Sequence, residues 1–288
     1  MESDVSRGAE LDRNRNEDMQ GLRVEPKLKG QVALVTGAGR GLGRAYAHRL
    51  SALGARVAVL DLSLKSYTDF PAEREAMEED STVSEIEARG GEAMGLAVDV
   101  TDSAAVTRAV EQIVQHWGRL DVAVCNAGGG TGTLAETTGT LVSDAHLEAV
   151  MQRNLHGTVN TCRAAAVPMK AQRAGRLITV SSIAGRRPDP TGGYAHYGAA
   201  KAAIIMYTKY LAREVGPYGI TANCVAPGFI RTGRVAPLLE TMGQNLLETV
   251  ALRRYGTPED CAGVIEFLAT DLGAYVNGAT IAVDGGTA

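Results

Sequence analysis

Short apolar runs alternate with helical repeats along most of this chain. Val32–Thr36 is an apolar run, glycines follow it, and a helical pattern over residues 42–50 stops at Gly54. Arg56–Asp61 is a second run rich in β-branched residues. This order of strand, tight turn, helix and strand predicts two parallel strands joined by a right-handed crossover.

The same alternation continues to the end of the chain. Five further strands are predicted, at residues 93–98, 120–125, 176–180, 221–226 and 280–283. Helices are predicted between them, at residues 83–89, 102–117, 143–166, 194–215 and 257–269. Three of these helices begin at a residue that can cap them, namely Asp102, Ser143 and Thr257. Seven strands alternating with helices predict a doubly wound, Rossmann-like α/β fold with a mostly parallel sheet covered on both faces.

Three segments depart from this alternation. Residues 1–26 are polar and carry charges of both signs, so they predict a flexible tail ahead of a single domain over residues 27–288. Residues 62–80 are polar, acidic and interrupted by a proline, which predicts an insertion that is partly helical at most. Residues 229–255 follow the sixth strand and, together with residues 129–142, are predicted to wall a substrate site.

Composition narrows the class of protein. With 288 residues, 45% of them hydrophobic, the chain can bury a large single core. Its formal net charge of -4 and the lack of a basic patch give no electrostatic reason to expect nucleic acid as a partner. No apolar run reaches the roughly 18 residues of a membrane span, and the first residues lack the hydrophobic stretch of a secretory signal. We therefore expect a protein that neither spans a membrane nor leaves the cell.

The cysteines indicate the redox setting. They lie far apart, none has a CxxC spacing, and most stand within apolar runs: Cys125, Cys162, Cys224 and Cys261. This pattern is typical of small buried thiols rather than of disulfides or a metal site. It predicts a reducing, cytoplasmic environment and no metal.

A glycine-rich turn, TGAGRGLG over residues 36–43, lies between the first predicted strand and the first predicted helix. Glycine lets the backbone approach a pyrophosphate, and the free N–H groups at a helix N-terminus attract anions. Asp61 ends the second strand, where its carboxylate can accept hydrogen bonds from both ribose hydroxyls of NAD and would repel the 2′-phosphate of NADP. The sequence therefore predicts a dinucleotide site that prefers NAD.

Two further strand ends predict contacts with the same ligand. Asp99 follows the third strand and is placed either to accept a hydrogen bond from the adenine amino group or simply to begin a turn. Asn126, Ala127 and Gly128 follow the fourth strand, at the carboxyl edge where ligands of such sheets bind. Their glycine is expected to let the adenosine half of the cofactor approach closely.

The candidate chemistry lies in residues 181–201. Tyr197 and Lys201 are four residues apart, so in a helix they share one face. A nearby ammonium favours phenolate over phenol, which predicts that Lys201 lowers the pKa of Tyr197 from its usual value of about 10. Ser182 ends an apolar run and supplies a neutral hydroxyl that can bind the same substrate oxygen.

Taken in order, these motifs resemble the short-chain dehydrogenase/reductase family over about residues 28–288. The family pattern implies that Tyr197 is the catalytic acid/base, that Lys201 lowers its pKa and holds the nicotinamide ribose, and that Ser182 positions the carbonyl. It also implies that Asn154 anchors a water molecule linking Lys201 to solvent. Thr232, after Pro227 and Gly228, is implied to contact the nicotinamide carboxamide.

The chain departs from the family pattern at three places. Cys125 stands where the family often has an asparagine, the interval from Ser182 to Tyr197 is about two residues longer than usual, and residues 62–80 are an unusual insertion. Arg40 resembles a basic residue that helps some relatives bind NADP, but Asp61 opposes that reading. The cofactor contacts predicted from the turn, the strand ends and the resemblance are Gly37, Gly39, Arg40, Gly41, Leu42, Gly43, Asp61, Leu62, Asp99, Val100, Asn126, Ala127, Gly128, Tyr197, Lys201, Pro227, Gly228, Ile230 and Thr232.

The predicted reaction is hydride transfer between NAD(H) and a secondary alcohol or ketone. The predicted substrate walls carry apolar side chains, which favour a hydrophobic or cyclic alcohol: Phe229, Ile230, Leu238, Leu239, Met242 and Leu246. Two alternatives remain open, an NAD-retaining lyase or epimerase and a non-catalytic nucleotide-binding regulator on the same fold. The resemblance also implies a homotetramer, and apolar residues on more than one face of the helices that begin near Ser143 and Tyr194 agree with it.

Overall fold

The computed structural model describes residues 27–236, 239 and 246–287. Its centre is a sheet of seven strands, β1 (Val32–Thr36), β2 (Arg56–Asp61), β3 (Ala93–Ala97), β4 (Val122–Cys125), β5 (Gly175–Val180), β6 (Ile220–Pro227) and β7 (Thr280–Val283). Every neighbouring pair is parallel, and the order across the sheet is β3-β2-β1-β4-β5-β6-β7. The predicted doubly wound parallel fold is confirmed.

The helices connect successive strands. They are α1 (Gly41–Ala52), α2 (Pro71–Glu75), α3 (Thr82–Ala88), α4 (Ser103–Trp117), α5 (Asp144–Met151), α6 (Gly157–Gln172), α7 (Ala195–Val215) and α8 (Pro258–Ala269). The predicted caps are present: Asp102 accepts hydrogen bonds from two backbone N–H groups of α4, and Thr257 forms a capping box with Asp260. The insertion contains only α2 and a single 3-10 turn, Ser66–Asp69, as the sequence predicted.

The helix predicted over residues 143–166 differs in one respect. It runs on to residue 172, and a π-helical turn, Gln152–His156, separates α5 from α6. Single π turns of this kind occur frequently at functional sites. Here the turn carries Asn154, one of the predicted catalytic residues.

Side chains of each strand alternate between two hydrophobic layers. Val32 and Leu34 of β1 pack in the layer that contains α4, α6 and part of α7. Ala33 and Val35 pack in the layer that contains α1 and α8. Because helices cover both faces of the sheet, a polar ligand can bind only at the edge where the strands end.

The sheet has one topological switch point. From β1 the chain proceeds outward through β2 and β3, and it then returns to place β4 on the other side of β1. The connections that leave β1 and β4 therefore diverge, which opens a crevice at the carboxyl ends of these two strands. The glycine-rich turn and the residues around Asn126 border this crevice.

Candidate active site

The glycine turn is packed too tightly for side chains at two of its positions. A Cβ atom at Gly37 would lie 2.9 Å from the Cα atom of Ala127, and one at Gly43 would collide with the carbonyl oxygen of Gly37. Gly37 also has a φ of 65°, in the region that favours glycine. The turn can therefore bring the N-terminus of α1 close to a ligand in the crevice.

Asn126 fixes the relation between the two strands at the switch point. Its side-chain amide donates to the carbonyl oxygens of Thr36, at 3.0 Å, and of Gly37, at 3.2 Å. Its backbone N–H donates to the Thr36 hydroxyl at 3.0 Å. The role of this side chain in the structure is to hold the end of β4 against the glycine turn.

Asp61 points into the same turn from the end of β2. Its carboxylate accepts hydrogen bonds from the backbone N–H groups of Gly39, at 2.9 Å, and Ser63, at 3.3 Å. An acid in this position is available to ribose hydroxyls on the β2 side of the crevice. Leu62, the next residue, is largely exposed.

Arg40 is covered by the insertion. Its guanidinium lies 4.5 Å from the centre of the Phe70 ring, within range of a cation–π interaction. Its Nε atom is buried without a hydrogen-bond partner among the described residues, and burial lowers the pKa of the guanidinium. A buried, unpaired donor beside the glycine turn fits a site that receives an anionic ligand such as a pyrophosphate.

Glu73 of α2 was not predicted as a site residue. Its buried carboxylate accepts hydrogen bonds from the backbone N–H of Gly41, at 3.1 Å, and from that of Gly233, at 2.7 Å. It therefore joins the insertion both to the start of α1 and to the segment after β6. Glutamates are common in polar insertions, so the sequence carried no signal that singled out this one.

The remaining predicted cofactor residues lie along the same edge. Asp99 caps its own turn, since its carboxylate accepts from the backbone N–H and the hydroxyl of Thr101. Val100 is buried, and its side chain fills the space beside Gly157. Both of these bonds use the Oδ1 atom of Asp99 and fit the turn that the sequence offered for it, while the adenine contact stays a prediction.

The segment after β6 closes the crevice from the opposite side. Pro227 ends the strand, Gly228 donates to the carbonyl oxygen of Val283 at 2.9 Å, and Ile230 is buried. Thr232 follows, and its methyl group would lie 3.9 Å from a Cβ atom at Gly41. Thr232 thus faces the N-terminus of α1 across the crevice. Two of the apolar residues that were predicted to wall the substrate site, Leu238 and Met242, lie outside the described residues.

Asn154 is held by the backbone on both sides. Its amide donates to the carbonyl oxygens of Gly129, at 3.0 Å, and Val150, at 2.8 Å, and its Oδ1 atom accepts from the N–H of Gly129 at 3.0 Å. The side chain is fully buried. The π turn thus ties α5 to the loop after β4.

Lys201 reaches the same loop from α7. Its side chain is buried, its Nζ atom donates to the carbonyl oxygen of Val180 at 2.9 Å, and burial lowers its pKa to about 8. A Cβ atom at Gly128 would lie 2.5 Å from Asn154 Oδ1 and 3.3 Å from Lys201 Nζ. The sequence predicted that Gly128 lets adenosine approach closely. In the structure, Gly128 leaves room for two of the predicted catalytic side chains, Asn154 and Lys201.

Tyr197 and Ser182 complete the group. Burial raises the pKa of the Tyr197 phenol, while a hydrogen bond with Ser182 and the charge of Arg234 lower it. The Lys201 Nζ atom lies 5.6 Å from the centre of the Tyr197 ring. Burial is the largest influence on this phenol in the structure, so the lowering of the Tyr197 pKa by Lys201 stays a prediction.

Two residues near Tyr197 have structural partners. His196 is buried, and its Nε2 atom lies 3.1 Å from the carbonyl oxygen of Thr131. Arg186 forms an ion pair with Asp284 at 3.6 Å, so it is held toward the end of β7. Tyr194 adopts a positive φ of 53° immediately before α7 and sets the direction of the helix that carries Tyr197 and Lys201.

A parallel sheet with a glycine turn at its switch point defines a Rossmann-type fold, and the nearby side chains of Ser182, Asn154, Tyr197 and Lys201 are those of an oxidoreductase. A family model described as enoyl-(acyl carrier protein) reductase matches residues 37–288. The chain belongs to the short-chain dehydrogenase/reductase family, whose dehydrogenases use nicotinamide cofactors, and it is an alcohol dehydrogenase/ketone reductase of that family.

Individual relatives agree with this assignment. A cyclohexanol dehydrogenase of Rhodococcus sp. (strain TK6) is 58% identical over 260 residues, which cover 90% of this chain and 96% of the relative. A 3-oxoacyl-[acyl-carrier-protein] reductase of Synechocystis sp. is 40% identical over 90% of this chain and 97% of its own length. The crystal structure of a short-chain dehydrogenase/reductase from Mycobacterium marinum aligns with a TM-score of 0.81 at 31% identity, covering 91% of this chain and 97% of that one.

Metal-binding clusters and membrane-spanning helices are both absent from the described part of the chain. Within residues 27–236, 239 and 246–287, no group of three or more His, Cys, Asp or Glu side chains is placed to hold a metal ion. In the same part of the chain, no helix combines the length and apolar character needed to cross a membrane. The four cysteines are buried and free, as the sequence predicted, and the sulfur atoms of Cys125 and Cys162 lie 3.4 Å apart.

Proposed function

We propose that this enzyme transfers a hydride between NAD(H) and an apolar, cyclic secondary alcohol or its ketone. The observation that carries the proposal is the convergence of Asn154 and Lys201 on the bare backbone of Gly128, one helical turn from Tyr197. This group adjoins the crevice that the glycine turn lines. A proton-transfer group beside a dinucleotide site is the arrangement that alcohol oxidation needs.

Each side chain of the site has a separate role in the proposed reaction. A nicotinamide ring, when bound, would accept the hydride, and the chain's own side chains would transfer the proton and orient the reacting groups. Tyr197 takes the hydroxyl proton of the alcohol as the carbon loses its hydride, and it returns that proton in the reduction direction. Ser182 holds the reacting oxygen, while Lys201 and Asn154 hold the ribose side of the site and its path to solvent. The backbone hydrogen bonds of Lys201 and Asn154 support these roles because they orient both side chains before a ligand enters.

NAD is the preferred cofactor in this proposal because of Asp61. Its carboxylate stands at the end of β2 with one oxygen on Gly39, where a 2′-phosphate would meet a negative charge. Arg40 does not offset this charge for NADP, since its guanidinium is turned onto Phe70. The substrate class is supported by the cyclohexanol dehydrogenase relative and by the apolar residues Phe229, Ile230 and Leu239 of the segment after β6.

The reaction is tested by following NADH absorbance with cyclohexanol, linear secondary alcohols and the matching ketones, each with NAD and NADP. We expect net reduction of NAD with the cyclic alcohol. A lyase or epimerase would regenerate its cofactor and give no net change, and a regulator would give no turnover. Either outcome across the whole panel would refute the proposal.

The cofactor preference has its own test, Asp61→Ala. Removing the carboxylate should weaken the binding of NAD and relieve the repulsion of the 2′-phosphate of NADP. The ratio of kcat/KM for NAD to that for NADP should therefore fall roughly 10-fold or more, which corresponds to about 1.4 kcal/mol. Glu111→Ala is the matched control, because its carboxylate is exposed on α4 and is not among the predicted cofactor contacts. An unchanged ratio in Asp61→Ala would show that the assignment of NAD rests on the wrong residue.

We also propose that the enzyme is a cytoplasmic homotetramer. The free, buried thiols support a reducing setting. Apolar side chains exposed on α5, α6 and α7 support an interface that covers them, namely Leu147, Val167, Met206 and Tyr210. A cavity of about 440 Å³ between the segment after β6 and residues 282–286 offers a second contact near the C-terminal run.

A further inference from the structure

Arg234 joins the two segments predicted to wall the substrate site, residues 129–142 and 229–255. It lies in the segment after β6, and its Nη2 atom donates to the carbonyl oxygen of Gly130, in the loop after β4, at 2.8 Å. Its guanidinium lies against the backbone of Gly129, where a Cβ atom would collide with it. Gly129 also has a φ of 143°, in the region that favours glycine. The loop after β4 therefore presents bare backbone to the arginine, and the two walls are bridged at this point.

The turn that carries Arg234 is itself anchored. The N–H of Gly233 donates to the Glu73 carboxylate at 2.7 Å, and a Cβ atom at Gly233 would lie 2.9 Å from the backbone nitrogen of Glu73. The Thr232 carbonyl oxygen accepts from the N–H groups of residues 235 and 236, at 3.0 and 2.8 Å. Arg234 thus extends from a turn that is closed on itself and docked on the insertion. Both ends of the bridge are held by packed structure.

The bridge ends beside the reacting groups. A Cβ atom at Gly130 would lie 3.4 Å from the Tyr194 ring, and that ring packs edge-on against the Tyr197 ring with centroids 6.3 Å apart. Gly128, two residues before Gly130, is the glycine that leaves room for Lys201. The two walls are therefore joined at the end of the site where the alcohol must react.

We propose that Arg234 is a positioning residue that sets the distance between the two walls and so limits the site to compact cyclic alcohols. The proposal rests on the proposed oxidation of an apolar, cyclic secondary alcohol, and it names the residue that selects within that class. Arg234 acts through the position of the walls and exchanges no proton with the substrate, since a guanidinium stays charged throughout the working pH range. Walls that are held together discriminate by size, because a bulkier substituent must displace packed atoms.

An arginine suits this bridge. Its guanidinium is planar, so it can lie on the bare backbone of Gly129 while it donates to Gly130. A charged donor also forms a stronger hydrogen bond to a carbonyl oxygen than a neutral donor does. Arg234 is exposed, so the bridge lies at the surface, and its loss would let the walls separate without opening the core.

The test compares Arg234→Met, which removes the donor and the charge but keeps a long side chain, with Arg234→Lys, which keeps one charged donor. The readout is kcat/KM at saturating NAD for cyclohexanol and for menthol, a cyclohexanol that also carries isopropyl and methyl groups. In Arg234→Met, the ratio of kcat/KM for cyclohexanol to that for menthol should fall roughly 10-fold, because separated walls admit the larger alcohol. Arg234→Lys should keep most of the wild-type ratio, because its ammonium can still donate to Gly130.

Two controls accompany these variants. NADH affinity, measured by fluorescence, should change little in either variant, since Gly233 remains bound to Glu73, and it also shows that the variants fold. Arg108→Met, on the exposed face of α4, is the control for the lost charge and should leave the ratio unchanged.

Three outcomes would overturn the proposal. An unchanged ratio in Arg234→Met, or an equal loss of kcat/KM for both alcohols, would leave Arg234 as a loop anchor only. A ratio that falls equally in Arg234→Lys and Arg234→Met would show that the hydrogen bond to Gly130 is not what limits the site. Absence of turnover in the wild-type enzyme with every alcohol would instead refute the proposed function.

Discussion

Three side chains at the candidate active site are held by backbone groups. Lys201 donates to Val180, Asn154 bonds to Gly129 and Val150, and Ser182 accepts from the N–H of Ala184 at 3.2 Å. These partners belong to strand ends and loops that the sheet already orders. The site is therefore oriented before substrate binds, which lowers the entropic cost of reaching the reactive geometry.

Tyr197→Phe tests the acid/base role at this scale. The ring and its packing stay, and only the transferable proton is lost, so kcat should fall by roughly 10²–10⁴-fold. NADH affinity, followed by fluorescence, should change little.

Tyr194→Phe is the matched control, because the Tyr194 hydroxyl donates to the carbonyl oxygen of Gly132 and not to the reacting group. It should retain most of the turnover. Activity near that of the wild type in Tyr197→Phe would exclude this tyrosine as the acid/base.

At the scale of elements, a buried carboxylate joins α1, α3 and the end of the insertion. Glu85 of α3 accepts hydrogen bonds from Arg44 Nε at 2.7 Å and from the N–H of Glu78 at 2.9 Å, and His48 Nε2 lies 2.8 Å from it. Arg44 also donates to the carbonyl oxygen of Ala76 at 3.0 Å. The insertion is therefore fixed at its C-terminal end as well as through Glu73.

The hydrogen bonds of Glu85 should make the free energy of unfolding depend on pH. Burial opposes ionisation, but the hydrogen bonds from Arg44, Glu78 and His48 outweigh it and lower the pKa of Glu85 from 4.5 to about 2. A lowered folded-state pKa means that the stabilisation is complete above about pH 4.5 and is lost as the pH falls toward 2. Glu85→Gln should lower the free energy of unfolding by about 3 kcal/mol at pH 7, and by less at pH 3.

Urea unfolding at both pH values, at one protein concentration, measures this difference. Glu87→Gln, an exposed residue of the same helix, is the control and should have little effect at either pH. An equal loss for Glu85→Gln at pH 7 and pH 3 would show that packing, rather than the charge of Glu85, stabilises the insertion.

At the scale of the whole molecule, exposed apolar side chains lie on α6, which follows the π turn of Asn154, and on α7, which carries Tyr197 and Lys201. Val167 of α6 is 70% exposed, and Met206 and Tyr210 of α7 are 52% and 72% exposed. The buried faces of the same helices contribute Ile204 and Leu211 to the core and its surroundings. A helix that is apolar beyond the stripe facing its own sheet is stabilised when a second copy covers the excess.

Light scattering should therefore give a mass several times that of one 30.2 kDa chain, and that of a tetramer at working concentrations. Val167→Asp combined with Tyr210→Asp should shift the mass toward that of smaller species, since charges at an apolar interface lose their hydration. Thr107→Asp on α4 is the control and should leave the mass unchanged. A wild-type enzyme that is fully active at the mass of one chain would contradict the assembly.

The amino-acid sequence by itself determined the layered fold and much of the site. Apolar periodicity placed all seven strands, Asp102 and Thr257 marked helix starts, and the glycines of residues 36–43 marked the turn. These features are local, because each depends on residues within one or two turns of the chain. Their order then allowed the family to be recognised.

Only the tertiary structure decided which groups meet across long separations. The π turn at Asn154, the docking of Glu73 onto Gly41 and Gly233, and the position of Arg234 beside Gly129 have no local sequence signal. The direction in which the pKa of Tyr197 shifts was also decided by the tertiary structure. Sequence spacing placed Lys201 one turn from Tyr197, but only the packed fold buries the Tyr197 phenol and so raises its pKa.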